Sequence, residues 1–294
     1  MRERPFRLAY AMREALAQGY GRAELRADVL AGLVVGIVAL PLSKALAIAS
    51  GVPPEHGLYT AIVAGGVGAL LGGSRVLVSG PTAAFVVILA PISARFGLEG
   101  LVLASTLAGL ILVAMGLFRL GRLIQFVPYP ATTGFTAGIG LVIASLQLED
   151  FLGLTPPELA GESMWHERML GLVQALPSAR WPDLVTGVVT LAVLLGWRRV
   201  RSAVPAPLVA LTLGALVALL IGFLAGESPD TLASCFGSAA APAGIPRLPP
   251  LFTWPWNLPG PAGGAGTPLS LAYVESRLPS AFAIAMLGAI ESLL

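Results

Sequence analysis

The sequence predicts an all-α polytopic membrane protein whose third span is broken. Three observations carry this. The 294 residues are 56% hydrophobic and only 12% charged, with a mean hydropathy of +0.82. That is too apolar for a soluble domain of this size, and the apolar residues fall in helix-length blocks. The arginines load every second loop, and Gly80-Pro81 interrupts an otherwise uncharged stretch. The same composition excludes other classes. A formal net charge of +2 with dispersed Arg offers no nucleic-acid surface. The single cysteine, Cys235, forms no internal disulfide and suggests no metal site. The two histidines, His56 and His166, fall in predicted outer loops without ligand-like spacing, which argues against a membrane enzyme.

Charge-free stretches define the elements in order. Residues 1–28 form a polar, Arg-rich N-terminal segment with no cleavable signal. Span one is Val29–Ala49, interrupted only by Lys44. Span two is Gly57–Gly73, the third stretch Val76–Ala94, span four Gly100–Phe118 and span five Ile124–Leu146. A polar segment separates these from span six, Leu184–Trp197, and span seven, Ala206–Ala225. After a Pro/Gly-rich loop at 241–268, an eighth helix covers Ser280–Leu294. Trp254 and Trp256 in that loop read equally as interfacial anchors or as part of a flexible linker.

The basic residues set the orientation. Arg2, Arg4, Arg7, Arg13, Arg22, Arg26, Arg75, Arg119, Arg122, Arg198, Arg199 and Arg201 fall on one side, making twelve. Arg95, Arg168, Arg180, Arg247 and Arg277 fall on the other, with most of the acids. The N-terminus is therefore expected in the cytoplasm and the loops 147–182 and 226–278 outside, in a multi-pass protein of the cytoplasmic membrane.

The third stretch is the most informative. Arg75 and Arg95 bracket nineteen uncharged residues, with Gly80-Pro81 a quarter of the way in. Val76–Ser79 reads as extended, and Pro81 suits the first position of a helix with Ser79 or Gly80 near the cap. A helix from Pro81 to Ala94 is roughly 20 Å long, about two-thirds of the hydrocarbon core. It would begin inside the membrane and point free N–H groups and a partial positive charge at an anion. Broken spans of this sort mark substrate sites in secondary transporters. The competing reading is an ordinary helix kinked by proline.

Two ionisable groups lie within spans and are functional candidates for that reason. Lys44 is the only Lys beside seventeen Arg. It either snorkels outward, pairs with a buried acid, or faces a wet cavity that attracts an anion; Pro41 and Ser43 just before it favour the cavity. Glu291, in "AMLGAIESLL", lies roughly 17 Å along the eighth helix, near mid-bilayer. It reads as a carrier of a coupling proton or cation, as a counter-charge to Lys44, or as an acid near a helix end. Leu294 follows without cap or polar flank, so the chain is expected to stop short of a natural end. Spans one and eight look loosely alike, as an inverted repeat would require.

Four stretches resemble the SulP family of anion transporters, also called solute carrier family 26. They are "RADVLAGLVVGIVALPLSKALAIASGVPPEHGLYTAIVAGGVGALLGGSRVLVSGPTAAFVVIL", "GRLIQFVPYPATTGFTAGIGLVIASLQLEDFLGL", "GIPRLPP" and "AMLGAIESLL". Within the family, "SGPTAAFVVIL" and the ending look most like the bacterial C4-dicarboxylate branch. The resemblance implies two inverted repeats of seven spans, so that 29–294 is the first repeat and the start of the second. It implies a core (spans one to four and eight) moving against a gate (spans five to seven) in an elevator-like transition, and a STAS domain that this chain lacks. It places the anion at Gly80, Pro81, Thr82 and Ala83, with Lys44 nearby and Glu291 as the ion-coupling residue. The substrate it implies is a C4-dicarboxylate such as succinate, fumarate or aspartate, coupled to H⁺ or Na⁺. Sulfate or bicarbonate transport, a nucleobase permease of the same architecture and a non-transporting fragment remain alternatives. Lys44 departs from the apolar residue expected in the dicarboxylate branch. Homodimers are common in the family; no cofactor is implied beyond the coupling ion.

Overall fold

The computed structural model describes residues 9–76, 78–120, 128–155, 165–197, 199–200, 202, 204–237, 244–246, 253–258 and 270–293. Arg2, Arg4, Arg7, Arg122, Glu158, Glu162, Arg198, Arg201, Arg247, Leu294 and most of the Pro/Gly-rich loop lie outside them. Among the described residues all regular structure is helical. In chain order these are α1 (Tyr10–Ala17), α2 (Arg22–Ala49), α3 (Pro54–Leu71), α4 (Val86–Leu117), α5 (Tyr129–Leu152), α6 (Trp165–Ala175), α7 (Trp181–Trp197), α8 (Ala206–Ala225), α9 (Leu232–Phe236), α10 (Leu271–Glu275) and α11 (Leu278–Leu293).

Span one begins two turns before its apolar stretch. The Glu24 side chain accepts the Gly21 N–H at 3.0 Å, which satisfies an orphan donor and starts α2 at Arg22. The helix ends where Ser50 donates its hydroxyl to the Leu46 carbonyl at 2.8 Å and Gly51 adopts φ 75°. The chain then turns through Val52-Pro53 into α3, with Pro54 at its first position. α2 and α3 touch backbone to backbone: a Cβ on Gly57 would fall 2.0 Å from the Ser43 carbonyl oxygen. His56 and His166, expected in loops, instead occupy the first turns of α3 and α6.

α4 is a folded hairpin rather than one rod. Gly97 has φ 66° and ψ −173°, backbone that a side chain would oppose, and it divides the helix into arms 86–96 and 98–117. Phe85, just before the first arm, and Leu112 on the second both approach within 3.4 Å of the point where Gly288 of α11 would carry a Cβ. The arms therefore lie side by side with α11 along their groove. The expected separation of spans three and four is thus present, at Gly97.

The seam between this hairpin and α11 is built from small residues. Ala104, Ala108, Ala281 and Ala285 are each at most 1% exposed, with Ile92, Leu101 and Ile284 filling around them. Alanines four apart on both helices permit the close approach on which packing in lipid depends. α2 packs on α3, α4 on α11 and α7 on α8; α5 lies against α7 and against the turn at Ala83–Phe85, and α2 touches both α4 and α8. Four helical stretches are long and apolar enough to cross a membrane, and five if the pair bent by 112° before Trp181 counts as one. In that count residues 83–117 are a single stretch, while the glycine-rich α3 and the 16-residue α11 are not included. Trp254 and Trp256 lie on a short turn packed on α4, their rings stacked at 5.0 Å and 8°.

Gly57→Ala is expected to cost about 1–3 kcal/mol through overpacking. Gly66→Ala, where a Cβ meets nothing within 4 Å, serves as the control. Thermal unfolding in detergent reads the difference; equal stabilities would remove the α2–α3 contact as a constraint.

Candidate functional site

The site begins with a helix that starts partway along the bundle. Residues 78–82 are not helical, Ala83–Phe85 form one 3₁₀ turn, and the first arm of α4 follows. This start differs from the sequence expectation by two residues. Pro81 stays outside the helix, and the cap is Thr82 rather than Ser79 or Gly80. Thr82 has extended backbone (φ −126°, ψ 144°), and its hydroxyl accepts the Ala84 N–H at 3.4 Å. The threonine hydroxyl accepts a first-turn N–H that a glycine cap at position 80 has no side chain to accept, so the helix starts after Thr82. From Ala83 to Phe96 the helix rises about 21 Å, short of a full crossing.

Non-helical backbone at such depth must be covered by protein or line a cavity. Here it does both. Ser79 lies on a glycine face of α3: a Cβ on Gly68 would meet its side chain at 2.7 Å, and one on Gly65 would meet its carbonyl at 3.4 Å. On the other side Gly80, Pro81 and Thr82 line a cavity of about 630 Å³. Its remaining walls come from Ala47 and Ser50 of α2, His56, Tyr59 and Thr60 of α3, Phe85, the second arm of α4, and Ile284. The lining is mostly apolar, and among its described residues no Lys or Arg appears.

Glu291 reaches this helix start. The Thr82 hydroxyl donates a hydrogen bond to Glu291 Oε1 across 209 residues of sequence. Glu291 Oε2 is buried and has no hydrogen-bond partner among the described residues. A carboxylate is thus held at the positive end of the short helix, where the backbone dipoles favour it. Two residues singled out separately in the sequence form one contact.

The other candidates divide. Gly80 and Pro81 line the cavity; Ala83, in the 3₁₀ turn, is half-buried and does not. Its N–H belongs to the first turn, which has no acceptor within the helix. Lys44 is half-buried on α2, one turn before Ala47, outside the lining, and without an ion pair or hydrogen bond among the described residues. Sequence reasoning missed His56 and Tyr59, whose rings meet edge to face at 5.9 Å on the cavity wall. It also missed Glu99, which is only 1% exposed. The signal for Glu99 was an acid two residues beyond Gly97, between the stretches Val76–Ala94 and Gly100–Phe118.

Thr82→Val would leave Glu291 Oε1 without its donor in a buried place. The expected loss is about 1–3 kcal/mol of stability, with Thr82→Ser close to the parent. Melting temperatures of the two variants decide this, and a valine variant as stable as the serine one would contradict the contact.

The family model described as the sulfate permease family matches residues 25–294. The chain is 40% identical over 280 residues to a protein of Bacillus subtilis (strain 168), "Putative sulfate transporter YvdB", covering 94% of this chain and 48% of that one. It is 32% identical over 212 residues to "Bicarbonate transporter BicA" of Picosynechococcus, covering 67% and 36%. Among solved structures, the transmembrane domain of a cyanobacterium bicarbonate transporter BicA matches with a TM-score of 0.68 at 28% identity. The match covers 93% of this chain and 65% of that one. The chain thus spans half or less of these curated relatives' lengths.

Proposed function

The chain belongs to the sulfate permease family, and from that premise we propose that it takes part in secondary transport of a small oxyanion, sulfate first and bicarbonate second. The observation that carries the reading is the helix that starts at Thr82, partway through the bundle, with its positive end on the cavity. That end offers N–H groups and partial positive charge to one compact anionic group. The substrate suggested by the sequence resemblance was a C4-dicarboxylate. Such a molecule carries two separated carboxylates, and the described lining supplies one positive end and no Lys or Arg for the second. The names of the relatives also favour sulfate and bicarbonate.

Glu291 gives the reading a coupling step. Its carboxylate occupies the same positive end that the anion needs. A proton or a sodium ion on Glu291 cancels that charge and frees the helix end for the substrate. Cation and anion then bind together, which is symport. The contact joins the start of the α4 hairpin to α11, which pack closely on each other, while α7 and α8 form another close pair. This supports a core that carries the site past a gate. The alternation of Arg along the chain supports a cytoplasmic N-terminus in a multi-pass protein of the cytoplasmic membrane.

The test is tracer sulfate uptake into proteoliposomes holding the full-length gene product, under separate proton and sodium gradients. Saturable uptake driven by one of them, competed better by bicarbonate than by succinate, is expected. Succinate uptake without sulfate uptake would overturn the substrate. Glu291→Gln is expected to keep sulfate exchange and lose the gradient's stimulation. Lys44→Met, half-exposed and off the cavity wall, is expected to change apparent affinity by less than about threefold, since a solvated charge acts weakly at a distance.

A further inference from the structure

A second polar cluster sits at the opposite end of the α4–α11 interface. At the hairpin tip, the Arg277 guanidinium lies over the Phe96 ring at 4.4 Å and over the Tyr273 ring at 4.1 Å. Arg95 lies over the same Phe96 ring at 5.0 Å. Gly100 leaves the room for this: its absent Cβ would be 2.3 Å from Phe96 Cβ and 3.7 Å from Arg277 Nε. Glu99 and Tyr273 are both buried, and Tyr273 lies within electrostatic reach of both Glu99 and Arg277. The Tyr273 hydroxyl faces Glu99 without closing a hydrogen bond. Burial first, then that carboxylate, push its pKa up to about 12, while Arg277 acts in the opposite direction.

The two ends share one register. Phe96 lies fourteen residues after Thr82, and Arg277 lies fourteen residues before Glu291. Phe96 meets Arg277 and Thr82 meets Glu291, so the first arm and α11 run antiparallel in step over the whole interface. Between the ends lies the alanine seam. Alanines bring helices close but give little shape to resist sliding. Slipping by one residue would move Glu291 by about 1.5 Å along the axis and turn it by about 100°, away from Thr82. Fixing register is the best-attested use of buried polar groups.

We propose that Glu99, Tyr273 and Arg277 form a polar latch at the hairpin tip that sets the register of α11 and thereby places the Glu291 carboxylate on Thr82. They are positioning residues for a site about 21 Å away by helical rise and touch no substrate. The proposal rests on the Thr82 helix end being the anion site only for its transport consequence.

The test is hydrogen–deuterium exchange on the full-length protein in nanodiscs. Arg277→Met is expected to speed exchange at least about fivefold in residues 82–89 and 286–291, at the far end of the interface from the change. Adding Glu99→Gln, which removes the charge of the buried carboxylate, is expected to bring those segments back to within about twofold of the parent. Tyr273→Phe, a milder change that removes only a hydroxyl, covers the case in which Arg277→Met does not fold. It is expected to move the same segments in the same direction by a smaller factor. Acceleration confined to residues 94–101 and 271–280, or a double variant no slower than the single one, would overturn the latch. In transport, the single variant is expected to raise the sulfate KM at unchanged folded abundance. Loss of abundance with an unchanged KM would reduce the cluster to a structural role. The exchange result needs no substrate, so it stands or falls apart from the sulfate reading.

Discussion

Everything around the site follows from starting a helix inside the bundle. Its first N–H groups have no intrahelical acceptors, and the backbone leading to it has none either. In lipid such groups must be covered. The glycine face of α3 accepts the extended backbone at Ser79, Thr82 supplies the cap, and Glu291 brings a negative charge to the positive end. Each of these needs another helix held close. That demand is met by the Gly57 contact between α2 and α3 and by the alanine seam between α4 and α11.

The same constraint underlies the proposed coupling. A helix end that only needed a cap would be satisfied by Thr82. The carboxylate adds a second claimant for the positive charge, with one oxygen bonded and the other buried without a partner. An anionic substrate and an ionised Glu291 repel each other there, so their occupancy is exclusive unless a cation intervenes. In the proposed transport, coupling would arise from Coulomb repulsion across a short distance at low dielectric, where such repulsion is strongest. It needs no distant pathway.

Much of this was legible in the residues. Apolar blocks located α8 to the residue and α11 to within two, because these helices are bounded by proline or by charge. Gly80-Pro81 marked the break, and Glu291 stood out as a lone acid in an apolar run. The helix start was displaced because threonine capping, a side-chain interaction, competed with the backbone preference of Pro81. The Thr82–Glu291 contact was hidden by its separation in sequence. Spacing along one helix says which residues share a face, but not which foreign residue meets them. Glu99 was hidden differently: a loop position between two spans looks solvated, whereas the Gly97 turn folds it under α10 and α11.

Lys44 shows how burial alone can mislead. A lysine in an apolar run must either be paired or find water, and the sequence favoured a cavity. The structure puts it one turn from the cavity wall and only half-buried, on a helix whose neighbouring faces are exposed. A long flexible stem can lie along apolar surface while its ammonium reaches a wetter place. The positive charge at the cavity then comes from backbone rather than from a side chain. Backbone dipoles cannot swing away or titrate. A site built on them keeps a constant attraction for the anion and leaves Glu291 as the member whose charge can change.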